Sequence, residues 1–448
     1  MSFFVEGWKE KIKSAPKKAI HVVIIATKPD IIKQAPLYNE LTRRGEFVLL
    51  CHTGQHYDYR YSGGVLEEFG MEVGANLEIS GTVNQKTAQS IERFGEILEY
   101  IKSCDKIAVP YIHGDTFAAM AIGVASIINR VACCHVEAGI RTLTPKTEVY
   151  QKFLDDYKAG KFSFDEYHAA MQDQGNFSTG SMEPFPEQLD TRIAETATGY
   201  HAAPVELDRQ FMLNEGFLDE NIEVVGNTVA DACHMALDEI KKGNSKILDD
   251  HPELKSKEFI PVILHRRETT ENPERMAVVM DMLRKMLEEG MKVYLVVLNG
   301  FEAALKNFGY WDEVQSWAKK YKGSFITTPA ITFHKDVVNL SINSPVMVID
   351  SGSQQEELNV LGTPQVTLRF GSDRGESFLA GANVPAPPID AGFTIEIIKG
   401  AYNNQSMREV GNIYGEDVAR KVVDGVLARF DDKLGLFMTE ERRLRLKI

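Results

Sequence analysis

The sequence predicts an α/β protein built from two doubly wound domains, and three observations carry that expectation. Short apolar runs at 20–25, 107–112, 131–136, 259–264 and 346–349 each end in a loop of small and ionisable residues. Helical stretches separate them, the alternation of a chain that lays down a parallel sheet covered by helices. At 448 residues the chain is too long for one ordinary core, so two domains of roughly 200 residues are expected.

The elements follow in order. Residues 1–18 form an amphipathic arm, with Phe3, Phe4, Trp8 and Ile12 among lysines, expected to pack on the body. The first domain is placed at 19–226. Its strand 20–25 leads into the 26–30 loop, where Pro29 suits the first turn of a helix through Arg43. A second strand, 47–51, ends in Thr53-Gly54-Gln55-His56. Run 107–112 delivers His113-Gly114-Asp115-Thr116, and the next delivers His135-Val136-Glu137-Ala138-Gly139. Between them, 117–129 is small and apolar, as a helix packed on a sheet should be. Asp115 and Glu137 therefore stand just past the carboxyl ends of two strands, the edge where open parallel sheets bind ligands.

Residues 143–183 interrupt this rhythm. Helices are expected at 149–158 and 164–171, and 174–181, rich in Gly, Ser, Asn and Thr, reads as a mobile loop. So long a connection is usually functional or an interaction surface. Order returns at Pro184-Phe185-Pro186-Glu187, and a strand follows near 199–203.

The second domain is placed at 227–400. Strand 259–264 ends in His265-Arg266-Arg267-Glu268, helix 274–289 and strand 292–298 follow, and 346–349 leads through Asp350-Ser351-Gly352-Ser353 into a helix ending at Leu361. A last strand, 365–368, ends in Arg369. The tail, 401–448, reads as helical, with Val418, Val422, Val423, Val426 and Leu427 as an apolar stripe, and is expected to fold back on the first domain.

Composition narrows the function classes. An apolar share of 44% and a charged share of 25% suit a soluble globular protein, and no apolar run is long enough for a membrane span. The N-terminus lacks an apolar signal core, so a cytoplasmic location is expected. Five cysteines, with Cys133 and Cys134 inside a strand, show neither metal-ligand spacing nor a disulfide framework. No metal is called for. A net charge of −14 argues against nucleic-acid binding, so an anionic ligand needs a local basic pocket. Two guanidinium groups and an imidazole at His265-Arg266-Arg267 suit a diphosphate. The helix opened by Ser351-Gly352-Ser353 offers backbone N–H groups to a phosphate. Glu356 and Glu357 are placed to accept from ribose hydroxyls, and Arg374 sits on a Gly-containing loop expected to close over a ligand. Each feature has a plainer explanation as a cap, a core histidine or a solvated pair. Their common position at strand ends is what favours a site.

The ordered motifs TKPDIIKQAPL, TGQH, HGDT, HVEAGIRT, PFPEQ, GNTVADA, HRRE and DSGSQQEELNVLGTPQV, spanning about 20–381, resemble the UDP-N-acetylglucosamine 2-epimerase family, non-hydrolysing type. That resemblance implies a GT-B-like fold of two Rossmann-type domains with the active site in the cleft between them, usually in a homodimer and without a redox cofactor. It implies interconversion of UDP-N-acetylglucosamine and UDP-N-acetylmannosamine by anti elimination of UDP and readdition to 2-acetamidoglucal. By the same matching, Asp115, Glu137, Glu187 and His265 are the catalytic set. Lys28, Lys33, Gln55, His56, Arg266, Ser351, Gly352, Ser353, Glu357 and Arg374 are the substrate-binding set.

The departures are specific. TKPD stands for TRPE, so Lys28 keeps the charge and loses the bidentate fork. PEExNR has become Pro186-Glu187-Gln188-Leu189-Asp190-Thr191-Arg192, without the second adjacent carboxylate and with the arginine displaced by one. SGGIQEE has become SGSQQEE, TERPE has become SDRGE, and Asp58 occupies a glutamine position of the family's regulatory site, which speaks against allosteric activation. The 143–183 insertion separates Glu137 from Glu187 and is expected to shape the sugar end of the site. Competing readings are a hydrolysing 2-epimerase releasing UDP and N-acetylmannosamine, a GT-B glycosyltransferase using a UDP-sugar donor, and a nucleotide-sugar-binding protein without catalysis.

Overall fold

The computed structural model describes residues 3–54, 62–181, 183–437 and 439. Among them, nine strands precede residue 227: β1 (Ala19–Ile25), β2 (Val48–His52), β3 (Val73–Asn76), β4 (Ile107–His113), β5 (Cys133–Val136), β6 (Leu143–Pro145), β7 (Phe177–Thr179), β8 (Thr198–Ala203) and β9 (Ile222–Val224). Seven form one sheet in the order β3-β2-β1-β4-β5-β8-β9, every pair parallel. The second sheet contains β10 (Phe259–Ile263), β11 (Lys292–Val297), β12 (Phe325–Pro329), β13 (Met347–Ile349), β14 (Gln365–Thr367) and β15 (Asn383–Pro385). Its order is β12-β11-β10-β13-β14-β15, again all parallel. These are two Rossmann-like sheets of the GT-B-like class. Strands covered on both faces need apolar side chains throughout, which is why β1, β2 and β10 are continuous buried runs.

In each sheet the chain lays strands outward from a first strand and then reverses. The reversal falls between β1 and β4 in the first sheet and between β10 and β13 in the second. Loops diverge there and leave room for a ligand at the carboxyl ends. The helix after β1, Lys28–Arg43, opens on a capping box of Thr27 and Asp30, with proline in its first turn.

The chain divides into two compact units: Met1–Ile140, Phe185–Ala232 and Tyr414–Ile448 in one, Arg141–Pro184 and Cys233–Ile413 in the other. This redraws the boundaries read from the sequence. The excursion expected inside the first domain belongs to the second, because its edge pairs there: Leu143 N donates to Ser372 O at 2.8 Å and Ser372 N donates back at 2.9 Å. Nor is 174–181 a bare loop, since a 3-10 turn at Gln174–Asn176 leads into β7, which pairs antiparallel with β6. The second unit runs on to Ile413. Only from Tyr414 does the chain rejoin the first, where Asp231 accepts from the Val418 and Ala419 amides at 3.2 and 2.7 Å and caps helix Val418–Arg429. Val418, Val422, Val423 and Val426 of that helix are buried, whereas Leu427 is exposed. The N-terminal arm packs into the first core through Trp8 and Ile12. Among the described residues, no helix is long and apolar enough to cross a membrane.

Candidate active site

The first unit gathers its ionisable groups at the β1/β4 reversal. Glu137 follows β5 directly and adopts a left-handed backbone, φ 67°, a conformation that a non-glycine residue holds only when its surroundings impose it. Those surroundings are plain. Glu137 Oε2 accepts from Lys33 Nζ at 2.5 Å, from His113 Nε2 at 2.9 Å and from Asn227 Nδ2 at 3.0 Å. Lys33 and Glu137 are each about 1% exposed, so Lys33, expected from sequence as a substrate contact, is a buried ion-pair partner of Glu137. His113 Nδ1 reaches Asp30 Oδ1 at 3.3 Å, and Asp30 Oδ2 accepts from the Thr27 amide and hydroxyl, both at 2.9 Å. Burial alone would lower the His113 pKa, but the Glu137 charge and hydrogen bonds to Asp30 and Glu137 lift it to about 9. His113 is therefore an imidazolium at neutral pH, donating from both nitrogens. His135, by contrast, is pushed down by burial and joins Gly114 O at 2.8 Å.

Beside this network lie three carboxylates. Asp115 follows β4 in the turn at Gly114 and is buried. Glu187 opens helix Glu187–Thr196, and Asp190, three residues on, lies on the same face of its first turn. Asp190 is 2% exposed. Burial first, then the charges of Asp115 and Glu187, push its carboxyl to about 7. In the linear motif no carboxylate is adjacent to Glu187, and Asp190 stands three positions beyond it. Its helical i, i+3 spacing was the available signal.

The second unit builds a cationic counterpart at the β10/β13 reversal. Asp350, buried after β13, accepts from the His265 amide at 2.9 Å and from the Arg266 amide at 2.9 Å, and His265 Nδ1 lies 3.0 Å from its Oδ1. Burial would raise the Asp350 carboxyl, yet the His265 charge and these hydrogen bonds hold it below its ordinary value. The His265 side chain itself is 40% exposed. Ser351 caps helix Gly352–Leu361, so its role as a cap is real, and the free N–H groups of that first turn come with it. Ser353 Oγ donates to Glu357 Oε1 at 3.4 Å, and His334 Nε2 is 3.5 Å from Glu357 Oε2.

Three guanidinium groups converge on Asp373: Arg369 at 3.1 Å, Arg374 at 3.2 Å and Arg266 at 3.6 Å. Arg374 Nε also donates to Glu356 Oε1 at 2.9 Å. Arg374 is 4% exposed. It is thus already buried and ion-paired, not on an open loop, and Glu356, expected as a ribose acceptor, accepts from it. Arg369 Nη2 is buried with no hydrogen-bond partner among the described residues, a donor available to an anion. Lys28 sits half-buried at the start of its helix. Gln55, His56 and Asp58 lie outside the described residues.

The family described as UDP-N-acetylglucosamine 2-epimerase matches residues 39–156 and 174–427. The chain belongs to the UDP-N-acetylglucosamine 2-epimerase family. The unmatched stretch, 157–173, is narrower than the insertion marked out from the motifs. Among curated relatives of this family, the UDP-N-acetylglucosamine 2-epimerase of Methanocaldococcus jannaschii is 27% identical over 372 residues, 81% of this chain and 87% of its own. That of Bacillus subtilis is 27% identical over 428 residues, 92% and 96%. The fold agrees with solved family members: the M. jannaschii UDP-GlcNAc 2-epimerase in complex with UDP-GlcNAc and UDP has a TM-score of 0.73 at 22% identity, covering 92% of this chain and 99% of that one. The Neisseria meningitidis UDP-GlcNAc 2-epimerase bound to UDP-GlcNAc has a TM-score of 0.72 at 21% identity, covering 92% and 100%.

Proposed function

We propose that this protein interconverts the C2 epimers of a UDP-N-acetylhexosamine without net hydrolysis. The family and the UDP-sugars held by its solved members support the substrate class. The observation that carries the chemistry is the group formed by the buried Asp115 and Asp190 with the half-buried Glu187. Burial and the charges of Asp115 and Glu187 push the Asp190 carboxyl to about 7, so Asp190 is suited to hold or release a proton near neutral pH beside two further carboxylates. The C2 proton of the sugar is weakly acidic, and its removal needs a positioned base. One ionised carboxylate takes that proton while the C1–O bond to the β-phosphate breaks, giving 2-acetamidoglucal and UDP. Return of a proton to C2 on the other face and of UDP oxygen to C1 gives the epimer. Glu137, held by Lys33, His113 and Asn227, orients its neighbours. On the nucleotide side, His265 and Arg266, the Gly352 helix terminus and the Arg369–Arg374 pair would hold the diphosphate and stabilise charge gathering on it as the leaving group departs.

NMR of UDP-N-acetylglucosamine with the protein in deuterated water tests this reading. Deuterium enters C2 of the product if the reading is right, and turnover with protium retained there refutes it. Free N-acetylmannosamine accumulating with UDP would identify the hydrolysing reaction. Asp115→Asn should abolish exchange and leave UDP affinity within a fewfold. Loss of both would make Asp115 structural.

A further inference from the structure

The loop at 370–375 carries Asp373 and Arg374, and its conformation rests on the excursion. Leu143 pairs on one side with Thr179 of β7 and on the other with Ser372, so the excursion extends a small antiparallel ribbon onto the loop. Tyr150 is buried and donates its hydroxyl to Phe370 O at 2.6 Å, with its ring edge-on to the Phe370 ring at 6.5 Å. The approach is close enough to demand glycine. A Cβ at Gly371 would lie 2.3 Å from Thr144 Oγ1 and 2.7 Å from Leu143 O, and one at Gly375 would lie 2.6 Å from the Leu143 side chain. The excursion is in turn anchored beyond the loop. Tyr167 Oη donates to Pro385 O at 2.6 Å, His168 Nε2 lies 2.9 Å from Gly381 O, and Arg275 joins Glu183 at 2.9 Å while lying 4.8 Å over the Phe370 ring. From the opposite side, Ser372 Oγ donates to Gln355 Oε1 at 2.7 Å.

We propose that the excursion is a built-in clamp, in which Leu143, Thr144 and Tyr150 position Arg374 and Asp373 for an anionic ligand before that ligand arrives. The inference rests on the reading of Arg374 as a diphosphate ligand. A glycine-bearing loop that had to be ordered by ligand would subtract its ordering entropy from the binding energy. Ordered during folding, the same residues leave that energy to the complex. Tyr150 and Thr144 touch no reacting atom in this account. They are positioning residues.

Hydrogen exchange and steady-state kinetics on the full chain test the clamp. In the natural protein without ligand, the Ser372 and Arg374 amides should already be protected, and saturating UDP should change their exchange less than threefold. The double variant Tyr150→Phe/Gly371→Ala should speed their exchange, restore it with UDP, and raise both KM and the UDP Kd by about tenfold or more, with kcat held within twofold, as expected when a seated loop must be ordered by ligand. Tyr150→Phe alone, a milder change, should move the same quantities in the same direction. A merely destabilised protein would instead lose kcat through its inactive fraction and keep its KM. Unprotected loop amides in the natural protein, or faster exchange with KM and Kd unchanged, overturn the clamp. Failure to bind UDP at all would remove the diphosphate reading, while the ligand-free exchange would still decide whether the loop is held.

Discussion

Asp190 stands in a position that looks, in the linear motif, like the loss of a carboxylate. On the helix it is the third member of an acidic group. Its folded pKa of about 7 lies above the ordinary 3.8, so the native state binds this proton more tightly than the unfolded chain does, and stability falls as pH rises from about 3.8 to 7. Asp190→Asn should therefore stabilise the protein at pH 8, by an amount on the order of 1–3 kcal/mol in urea unfolding, and not at pH 4. His113 carries a related pH dependence. Its raised pKa contributes stability that is complete below about 6.5 and lost as pH climbs through about 9, and His113→Gln should flatten the urea midpoint across that window. Lys33→Met leaves Glu137 buried without its ammonium partner, which should cost on the order of 3–5 kcal/mol in the same assay. The sequence made Lys33 and Glu137 visible as separate candidates; nothing local reveals that they meet, since 104 positions separate them.

At the scale of elements, the strand-loop-helix grammar is local and was readable. β1, β4, β5, β10 and β13 lie where continuous apolar runs indicated, and their trailing loops carry Asp115, Glu137, His265 and Ser351. Short strands were harder. β3, β9, β12 and β15 have at most five residues, too few for a period to register, and β7 is a three-residue strand inside a polar stretch. They are strands because a neighbour offers a ladder, as β6 does for β7. Helix Gly352–Leu361 shows one residue in two capacities. Ser351 caps it, so Ser351→Ala should lower stability by about 1 kcal/mol. If the same helix end also binds phosphate, calorimetry should show weaker UDP binding in that variant, and an unchanged Kd would leave only the cap.

At the scale of the whole molecule, the chain leaves the first unit at Arg141, returns at Phe185, leaves again at Cys233 and comes back at Tyr414. Packing groups segments that sequence order separates. Native-state hydrogen exchange should show β6, β7 and their intervening helices opening together with the β10–β15 sheet, and helix Val418–Arg429 opening with the β1–β9 sheet. Opening of the excursion with the first unit would contradict the grouping. The long, polar and aromatic composition of 146–180 flagged the excursion as functional. The aromatic residues among them have their use in the second unit, where Phe162 and Tyr167 pack edge-on against Phe393 and Phe153 packs edge-on against both of them.

What the sequence by itself determined is the family, the two-sheet α/β architecture and the placement of ionisable residues at strand ends. All of these are written in local periodicity and in short ordered motifs. Tertiary structure alone decided which of those residues meet: Glu137 with Lys33, His113 and Asn227, Arg374 with Asp373 and Glu356, Asp190 with Asp115 and Glu187, and the excursion with the unit that follows it. The physical reason is range. Periodicity records which face of an element is buried, but a charge network is set by partners tens to hundreds of positions away, and no local pattern encodes which partner a buried group will find.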